Sequence, residues 1–470
     1  MKRFLALLIA FTTLMGLFTI GFAEEDYSIE ERNYDTVMQL IELFAISEKS
    51  DSQILEEALL SIAEGSREDL YKVLDAIAKT VDEYSCYYSP EEYEAFRKSL
   101  SGTVCGIGVT AVVESGAFTV VTLLDGGSAK EGGIEAGDKI IEADGVDITG
   151  EKAENASSYI TGEQGTYVTI KVKKANGEIK EYTLQRRVVI VPSVAGEILE
   201  DDGIGYILIN SFTENTHTEV EKLLKEFKEK GIEKLIVDLR YNGGGVMDSG
   251  IASAELFMEK DKVIISTKGK ESEEHTYYKS SKDGYKFKTV LLTNEYTASA
   301  AEIFACALID NGYAESVGNT TYGKACAQGL YPIGIGGALR LTVLNYYTPK
   351  GNFINKTGIP ATYNVANKTY KLTEDELPKL SFTHKFNLGD IHEDVEKIEE
   401  MLYTLKYLDE NPDNVYSEAT KKAVADYQLA VGLFPYGVCD MTTQSYLVNS
   451  YSEVEFTEDT QLEYAKQILK

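Results

Sequence analysis

The spacing of apolar residues changes several times along the chain, and each change announces a different kind of element. After Met1-Lys2-Arg3, residues 4–22 are almost unbroken apolar and end at Ala23-Glu24, the pattern of a secretory signal over 1–23 or of an uncleaved membrane anchor. From 24 to 100 the spacing turns helical: Val37, Leu40, Ile41 and Phe44, then Ile54, Ala58, Leu59 and Ile62, with Ser52 and Ser66 as caps. Between 101 and 190 it becomes strand alternation broken by glycine turns, at Gly106-Ile107-Gly108-Val109-Thr110, 118–123, Ala136-Gly137-Asp138-Lys139-Ile140-Ile141 and 168–172. From 191 to 375 the buried strands Tyr206-Ile207-Leu208-Ile209, Leu235-Ile236-Val237 and Val290-Leu291-Leu292 alternate with helical faces such as Val220, Leu223, Leu224 and Phe227, which predicts an α/β core. Past Glu376-Leu377-Pro378 the stripe Val395, Ile398, Leu402, Leu405 opens a small all-α domain over 385–452, and 453–470 is left as a C-terminal tail. The expected fold is therefore multidomain, mixing α/β with α+β.

Length and charge narrow the possible functions. A chain of 470 residues has room for about three domains. A net charge of −30 argues against nucleic acid or anionic lipid as a partner. Cys86, Cys105, Cys306, Cys326 and Cys439 are scattered and odd in number, which points to neither a disulfide framework nor a zinc site, and no metal or cofactor is expected.

The candidate chemistry sits where the strand 290–292 runs into the helical pattern Ala301, Phe304, Ala305, Leu308. Ser299 then falls at a helix start, where unpaired N–H groups can stabilise an alkoxide and the oxyanion it generates. The chain has four histidines, His217, His275, His384 and His392, none in a catalytic context, so a lysine is the alternative base. A lysine at its ordinary pKa, about 10.4, holds its proton at neutral pH and must be desolvated to act. Lys324 lies in the charge-poor run Thr321-Tyr322-Gly323-Lys324-Ala325-Cys326-Ala327-Gln328, where Gln328 offers a neutral side chain to orient the amine. On these residues alone, Ser299 could equally be a helix cap and Lys324 a surface lysine.

The motifs Asn294-x-x-Thr297-Ala298-Ser299-Ala300-Ala301-Glu302, Gly318-x-x-Thr321-Tyr322-Gly323-Lys324-x-x-x-Gln328 and Asp238-Leu239-Arg240-Tyr241-Asn242-Gly243-Gly244-Gly245 resemble the core of the carboxyl-terminal processing proteases, and the resemblance spans about 80 to 362. It implies a serine-type endopeptidase in which Ser299 is the nucleophile, Lys324 the general base and Gln328 its partner. The glycine loop, at Gly244, and Ala300 would supply the oxyanion N–H groups. Arg240 is expected to anchor that loop. Residues 101–190 resemble a PDZ domain, whose loop Gly106, Ile107, Gly108 would receive the carboxylate of a polypeptide substrate. Asp82-Glu83-Tyr84-Ser85-x-Tyr87-x-Ser89-Pro90-Glu91-Glu92-Tyr93 is similar to the segment that introduces that domain, and in related enzymes the helices before it can assemble subunits, so a homodimer is an open expectation. Ser417-x-x-Thr420 and Asp440-x-x-Thr443 resemble the caps of peptidoglycan-binding domains, with a generic three-helix packing module as the alternative.

Departures from the family pattern are Gly243 in place of proline, Ala301 in place of serine, Ala325 in place of glycine, and no aspartate in Thr357-Gly358-Ile359-Pro360-Ala361. They touch loop geometry and efficiency. The expected protein is extracytoplasmic, either secreted, wall-associated or anchored. Its rivals are a catalytically weak PDZ scaffold at the cell wall and a wall hydrolase, the latter disfavoured because the C-terminal domain has no metal motif or paired acids.

Overall fold

A computed structural model describes residues 67–470 except 115, 175, 201, 271, 273, 335 and 336, and, before them, 33, 36–44, 49, 50 and 52–54. The signal or anchor at 1–23 and the expected helical positions Ala58, Leu59, Ile62 and Ser66 lie outside the described residues. Among the described residues no helix is long and apolar enough to cross a membrane. The described residues divide into two compact units: those up to Thr103 with Val191–Ala366 and Gln461–Lys470, and Val104–Ile190 with Asn367–Thr460.

The first unit is built on a six-stranded sheet. Its order is Val194–Leu199, Ile204–Ile209, Lys234–Asp238, Lys288–Thr293, Ala314–Gly318, Tyr363–Asn364, with the first pair antiparallel and the rest parallel. Its central strands are apolar at successive positions, so both faces need cover. Leu235, Val237 and Leu291 point to one face, packed with residues of the helices Thr216–Glu229, Met247–Glu255 and Ala300–Asp310. Ile236, Val290, Leu292 and Val317 point to the other, where Ala465 and Leu469 of the helix Thr460–Leu469 bury completely against them. The residues expected as a tail, 453–470, thus hold the strand Phe456–Glu458 and a helix that closes the catalytic unit. Nothing local in their sequence signals this, because the cover is provided across nearly the whole length of the core.

A second, antiparallel sheet in this unit joins Cys86–Tyr88, Ala338–Tyr347, Val263–Gly269, Thr276–Lys279 and Cys326–Pro332. Val37, Ile41 and Ile54, with Leu74 and Ile77 of the helix Arg67–Lys79, pack against Leu339 and Leu341 of this sheet. The helix Pro90–Ser101 starts with a capping box: Ser89 N–H donates to Glu92 Oε2 at 2.9 Å and Glu92 N–H to Ser89 Oγ at 3.3 Å.

In the second unit, residues 104–190 form a PDZ-type β domain. Its main sheet runs Val109–Glu114, Ala117–Leu123, Lys139–Ala143, Tyr167–Lys173, Ile179–Gln185, around Ile107, Val120, Ile140, Val168, Ile170 and Val172. Asp144 and Gly145, both at positive φ (47° and 79°), turn the chain between the strands Lys139–Ala143 and Val146–Asp147. The C-terminal helices Glu393–Thr404, Glu418–Ala430 and Met441–Ser452 pack through Val395, Ile398, Leu402, Val424, Tyr427 and Leu447. Ser417 caps the second through the Thr420 N–H and Asp440 the third through the Thr443 N–H, as the spacing predicts. Their entry and exit strands, Lys368–Tyr370 and Phe456–Glu458, pair antiparallel with Thr369 opposite Thr457.

Candidate active site

Ser299 stands where the strand Lys288–Thr293 has ended and the helix Ala300–Asp310 begins. The turn between them is stitched to the glycine loop that follows the neighbouring strand. Asn294 Oδ1 accepts the N–H of Tyr241 at 2.9 Å and of Tyr296 at 3.2 Å. Thr297 Oγ1 donates to Leu239 O at 2.9 Å, and Ala298 N–H to Asn242 O at 2.9 Å. Ser299 itself adopts φ 57°, ψ −120°, a conformation that costs a non-glycine residue roughly 1–3 kcal/mol and persists only where the surroundings enforce it. Its side chain lines a cavity of about 540 Å³ together with Lys324, Gln328, Arg340, Gly244 and the apolar Phe96, Leu100, Phe212 and Met247. No histidine is among the residues lining it.

Glu302, three positions after Ser299, is fully buried and binds both catalytic segments. Its Oε2 accepts the N–H of Ser299 at 2.9 Å and of Lys324 at 2.8 Å, and its Oε1 accepts the Gly323 N–H at 2.7 Å and the Thr321 hydroxyl at 2.6 Å. Burial raises the Glu302 pKa and these donors oppose the rise. All four groups donate, so the ionised carboxylate is the form that fits. The buried Tyr346 directs its hydroxyl at the carbonyls of the same two residues, Lys324 and, at 3.2 Å, Ser299. The sequence carried a signal for Glu302 in its Ser-x-x-Glu capping spacing. Tyr346, brought in by the antiparallel sheet, had none.

The base loop folds tightly against the segment after it. Gly323 is at φ 88°, and a Cβ there would sit 2.6 Å from Gly358 N. Thr321 Oγ1 accepts the Ile359 N–H at 2.7 Å, so the segment that lacks the usual aspartate serves as a prop for the loop. Lys324 Nζ lies 4.5 Å from the centre of the Tyr84 ring. Burial, and next the Arg340 guanidinium, hold the Lys324 pKa below that of an ordinary lysine, against weaker opposing pulls from Cys326, Asp82 and Glu302. Gln328 shares the cavity, but its amide is engaged elsewhere: Nε2 donates to Thr342 Oγ1 at 3.1 Å and Oε1 accepts from Arg340 Nη2 at 3.3 Å. Among the described hydrogen bonds none joins Gln328 to Lys324. Arg340 also donates to the Tyr88 hydroxyl at 2.9 Å. Tyr84 lies in a motif read above, but neither its place over the lysine nor that of Arg340 beside the cavity is signalled there, because both come to Lys324 through tertiary pairing.

On the oxyanion side, Ala300 N–H is at the first turn of its helix, where no intrahelical partner exists. A Cβ on Gly244 would come within 2.9 Å of Ala300 N and 2.8 Å of Ser299 Cβ, which requires glycine there. The Gly244 N–H donates to Asn242 Oδ1 at 2.9 Å, while among the described hydrogen bonds none uses the N–H of Gly245. Arg240 is an anchor for this loop: its Nε and Nη2 bind the carboxylate of Asp238 at 3.0 and 2.7 Å. A Cβ on Gly243 would meet nothing within 4 Å, so packing does not require glycine where the family pattern has proline.

In the PDZ-type domain Ile107 is buried and its carbonyl accepts the Ala129 N–H at 2.9 Å, while the Gly108 carbonyl accepts from Leu124 at 2.9 Å. Gly108, at φ 83°, passes so close to Gly127 that a Cβ would lie 2.4 Å from its Cα. The strand Val109–Glu114 that follows Gly106, Ile107 and Gly108 is an edge of its sheet.

Comparison with known families places these parts in one class. Residues 203–365 match peptidase family S41, 97–173 match the PDZ domain, and 391–447 match a putative peptidoglycan-binding domain. The chain is a serine-type endopeptidase that carries a PDZ domain and a peptidoglycan-binding-type module. It is 32% identical over 300 residues to a carboxyl-terminal-processing protease of Picosynechococcus sp., covering 63% of this chain and 72% of that protein. It is 29% identical over 389 residues to the carboxy-terminal processing protease CtpA of Bacillus subtilis, covering 83% and 82%. The protein belongs to the carboxyl-terminal processing protease family.

Proposed function

We propose that this endopeptidase works outside the cytoplasm through a Ser299–Lys324 pair, on polypeptides delivered by their C-termini. The observation that carries the reading is that one cavity is lined both by Ser299 and by a lysine whose charge is disfavoured by burial and by Arg340, with Glu302 fixing both backbones. Neutral Lys324 Nζ takes the Ser299 Oγ proton as Oγ bonds to the scissile carbonyl carbon. The Ala300 N–H, with a glycine-loop N–H at Gly244 or Gly245, stabilises the oxyanion; for Gly244 this means exchanging Asn242 Oδ1 for the substrate. The C–N bond then breaks and the leaving amine takes the proton from Lys324. Neutral Lys324 Nζ then takes a proton from water as its oxygen bonds to the acyl carbon, the C–Oγ bond breaks, and Lys324 returns the proton to Ser299 Oγ. Gln328 serves the site by holding Arg340 at the cavity wall.

Delivery rests on Gly106, Ile107 and Gly108 beside an open strand edge, which suits a peptide added as a further strand with its carboxylate at the loop. An unstructured substrate with a free C-terminus should therefore be cleaved at least about tenfold more efficiently than the same chain amidated. Equal kcat/KM for the two would remove the PDZ domain from substrate capture.

Export is supported by the charged and then apolar pattern of 1–23, and wall docking by the C-terminal module. That module presents Phe434 and Tyr436, 79% and 43% exposed and with ring centres 6.2 Å apart, a pair suited to stacking on sugar rings. The full chain carrying Ser299→Ala should pellet with purified peptidoglycan, and Phe434→Ser with Tyr436→Ser should release it. Failure to pellet with any wall preparation would leave a packing module only.

A further inference from the structure

The helix Thr460–Leu469 does more than cover a sheet face. Gln461, at its first turn and 3% exposed, accepts a hydrogen bond from Arg240 Nη1 at 3.1 Å and donates to Asn319 Oδ1 at 3.1 Å and Val365 O at 2.9 Å. Arg240 is the residue whose guanidinium and backbone N–H both hold Asp238, and Asp238 also accepts the Tyr206 hydroxyl at 2.7 Å. The loop carrying Asn242, Gly244 and Gly245 begins at the very next residue. Asn319 starts the segment leading to Lys324, and its N–H donates to Thr293 O at 3.0 Å, at the end of the nucleophile strand. One amide from the far end of the chain therefore ties together the roots of the loops that surround the reacting atoms.

We propose that Gln461 is a positioning residue for catalysis, acting through Arg240 to hold the glycine loop at the distance an oxyanion requires. This rests on the assignment of Ser299 as nucleophile. A bound geometry slackened by a fraction of an ångström costs turnover more than affinity, because the oxyanion exists only in the transition state.

Three full-length variants test the idea, assayed well below their melting temperatures. Gln461→Leu removes every polar contact of the amide. Gln461→Glu keeps an acceptor for Arg240 and loses both donations. Leu469→Ala loosens the same helix about two turns away without touching the network. We expect Gln461→Leu to lower kcat at least about tenfold with KM within about twofold. Gln461→Glu should retain kcat within about threefold of wild type despite a Tm loss similar to that of Gln461→Leu. Leu469→Ala should lower Tm and leave kcat unchanged. If kcat instead follows Tm across the three, or if Gln461→Glu turns over as slowly as Gln461→Leu, Gln461 is only a docking residue and the proposal is overturned. Should Gln461→Leu not fold, Gln461→Glu against Leu469→Ala still decides, since a docking role alone makes the buried charge the more damaging change for turnover. A Ser299→Ala chain assayed beside them separates the two ideas: if it still cleaves, the nucleophile reading has failed, whatever the Gln461 series shows.

Discussion

Lys324→Ala and Ser299→Ala should each reduce peptide cleavage by at least about 10⁴-fold while leaving the fold intact, because nucleophile and base act as a unit. Lys324→Arg should fail as well, since a guanidinium does not give up its proton in a protein. The wild-type enzyme should show kcat/KM rising with pH and levelling off once the lysine is neutral. Burial and Arg340 place that limb below the ordinary lysine range. Arg340→Gln removes a cation whose repulsion favours the neutral amine, so the limb should move to higher pH, and Arg340→Lys should move it back. Activity that survives Lys324→Ala, or a limb that stays put in Arg340→Gln, would mean that a different group takes the proton.

The second large effect is expected at Glu302. Alanine there leaves the N–H groups of Ser299, Gly323 and Lys324 and the Thr321 hydroxyl buried without their acceptor. At about 1–3 kcal/mol for each stranded donor, the loss is comparable to the whole stability of a typical domain, about 5–15 kcal/mol. Glu302→Ala should therefore fail to accumulate as folded protein or melt far below wild type. Glu302→Gln is the more informative change. Whichever carboxylate oxygen becomes an amide nitrogen, it meets at least one backbone N–H, so one catalytic segment must shift. We expect a folded protein with kcat reduced at least about 100-fold. Circular dichroism melts and initial rates on an unstructured substrate check both variants. Wild-type Tm and kcat in Glu302→Gln would show that the clamp does not position the pair.

Much of this architecture was legible because the chain states it locally. The strand 290–292 followed by Ala301, Phe304, Ala305 and Leu308 puts Ser299 at a helix start, and the structure places that helix at Ala300–Asp310. Ser417 and Asp440 announce their helices by the threonine three residues on, and both are found as caps. The parts that were not legible act across distance. Tyr84 lies over the lysine because Asp82 accepts the N–H groups of Tyr84 and Ser85 and the Ser85 hydroxyl accepts the Thr342 N–H, a link spanning 257 positions. Gln328 was expected to orient the amine because it is a neutral side chain in the same charge-poor run and matches the glutamine of the family motif. The strand Cys326–Pro332 instead aligns it with Thr342 and Arg340 of its neighbour. The terminal helix had an indirect signal. Strands as continuously apolar as Leu235-Ile236-Val237 and Val290-Leu291-Leu292 require cover on two faces, and the helices between them supply one.

That second cover also sets an order in time. A polypeptide emerges from its N-terminal end, and domains generally fold as they are completed, at about 5–20 residues per second. When Ala366 appears, every strand of the central sheet has been made, yet the face formed by Ile236, Val290, Leu292 and Val317 is still bare. Its partners, Ala465 and Leu469, come only after the whole C-terminal module, a further delay of roughly 5–20 seconds at those rates. Until then the nascent catalytic unit carries an open apolar sheet face and lacks Gln461, so the folding of the protease core has to wait for the synthesis of a module inserted within its own sequence.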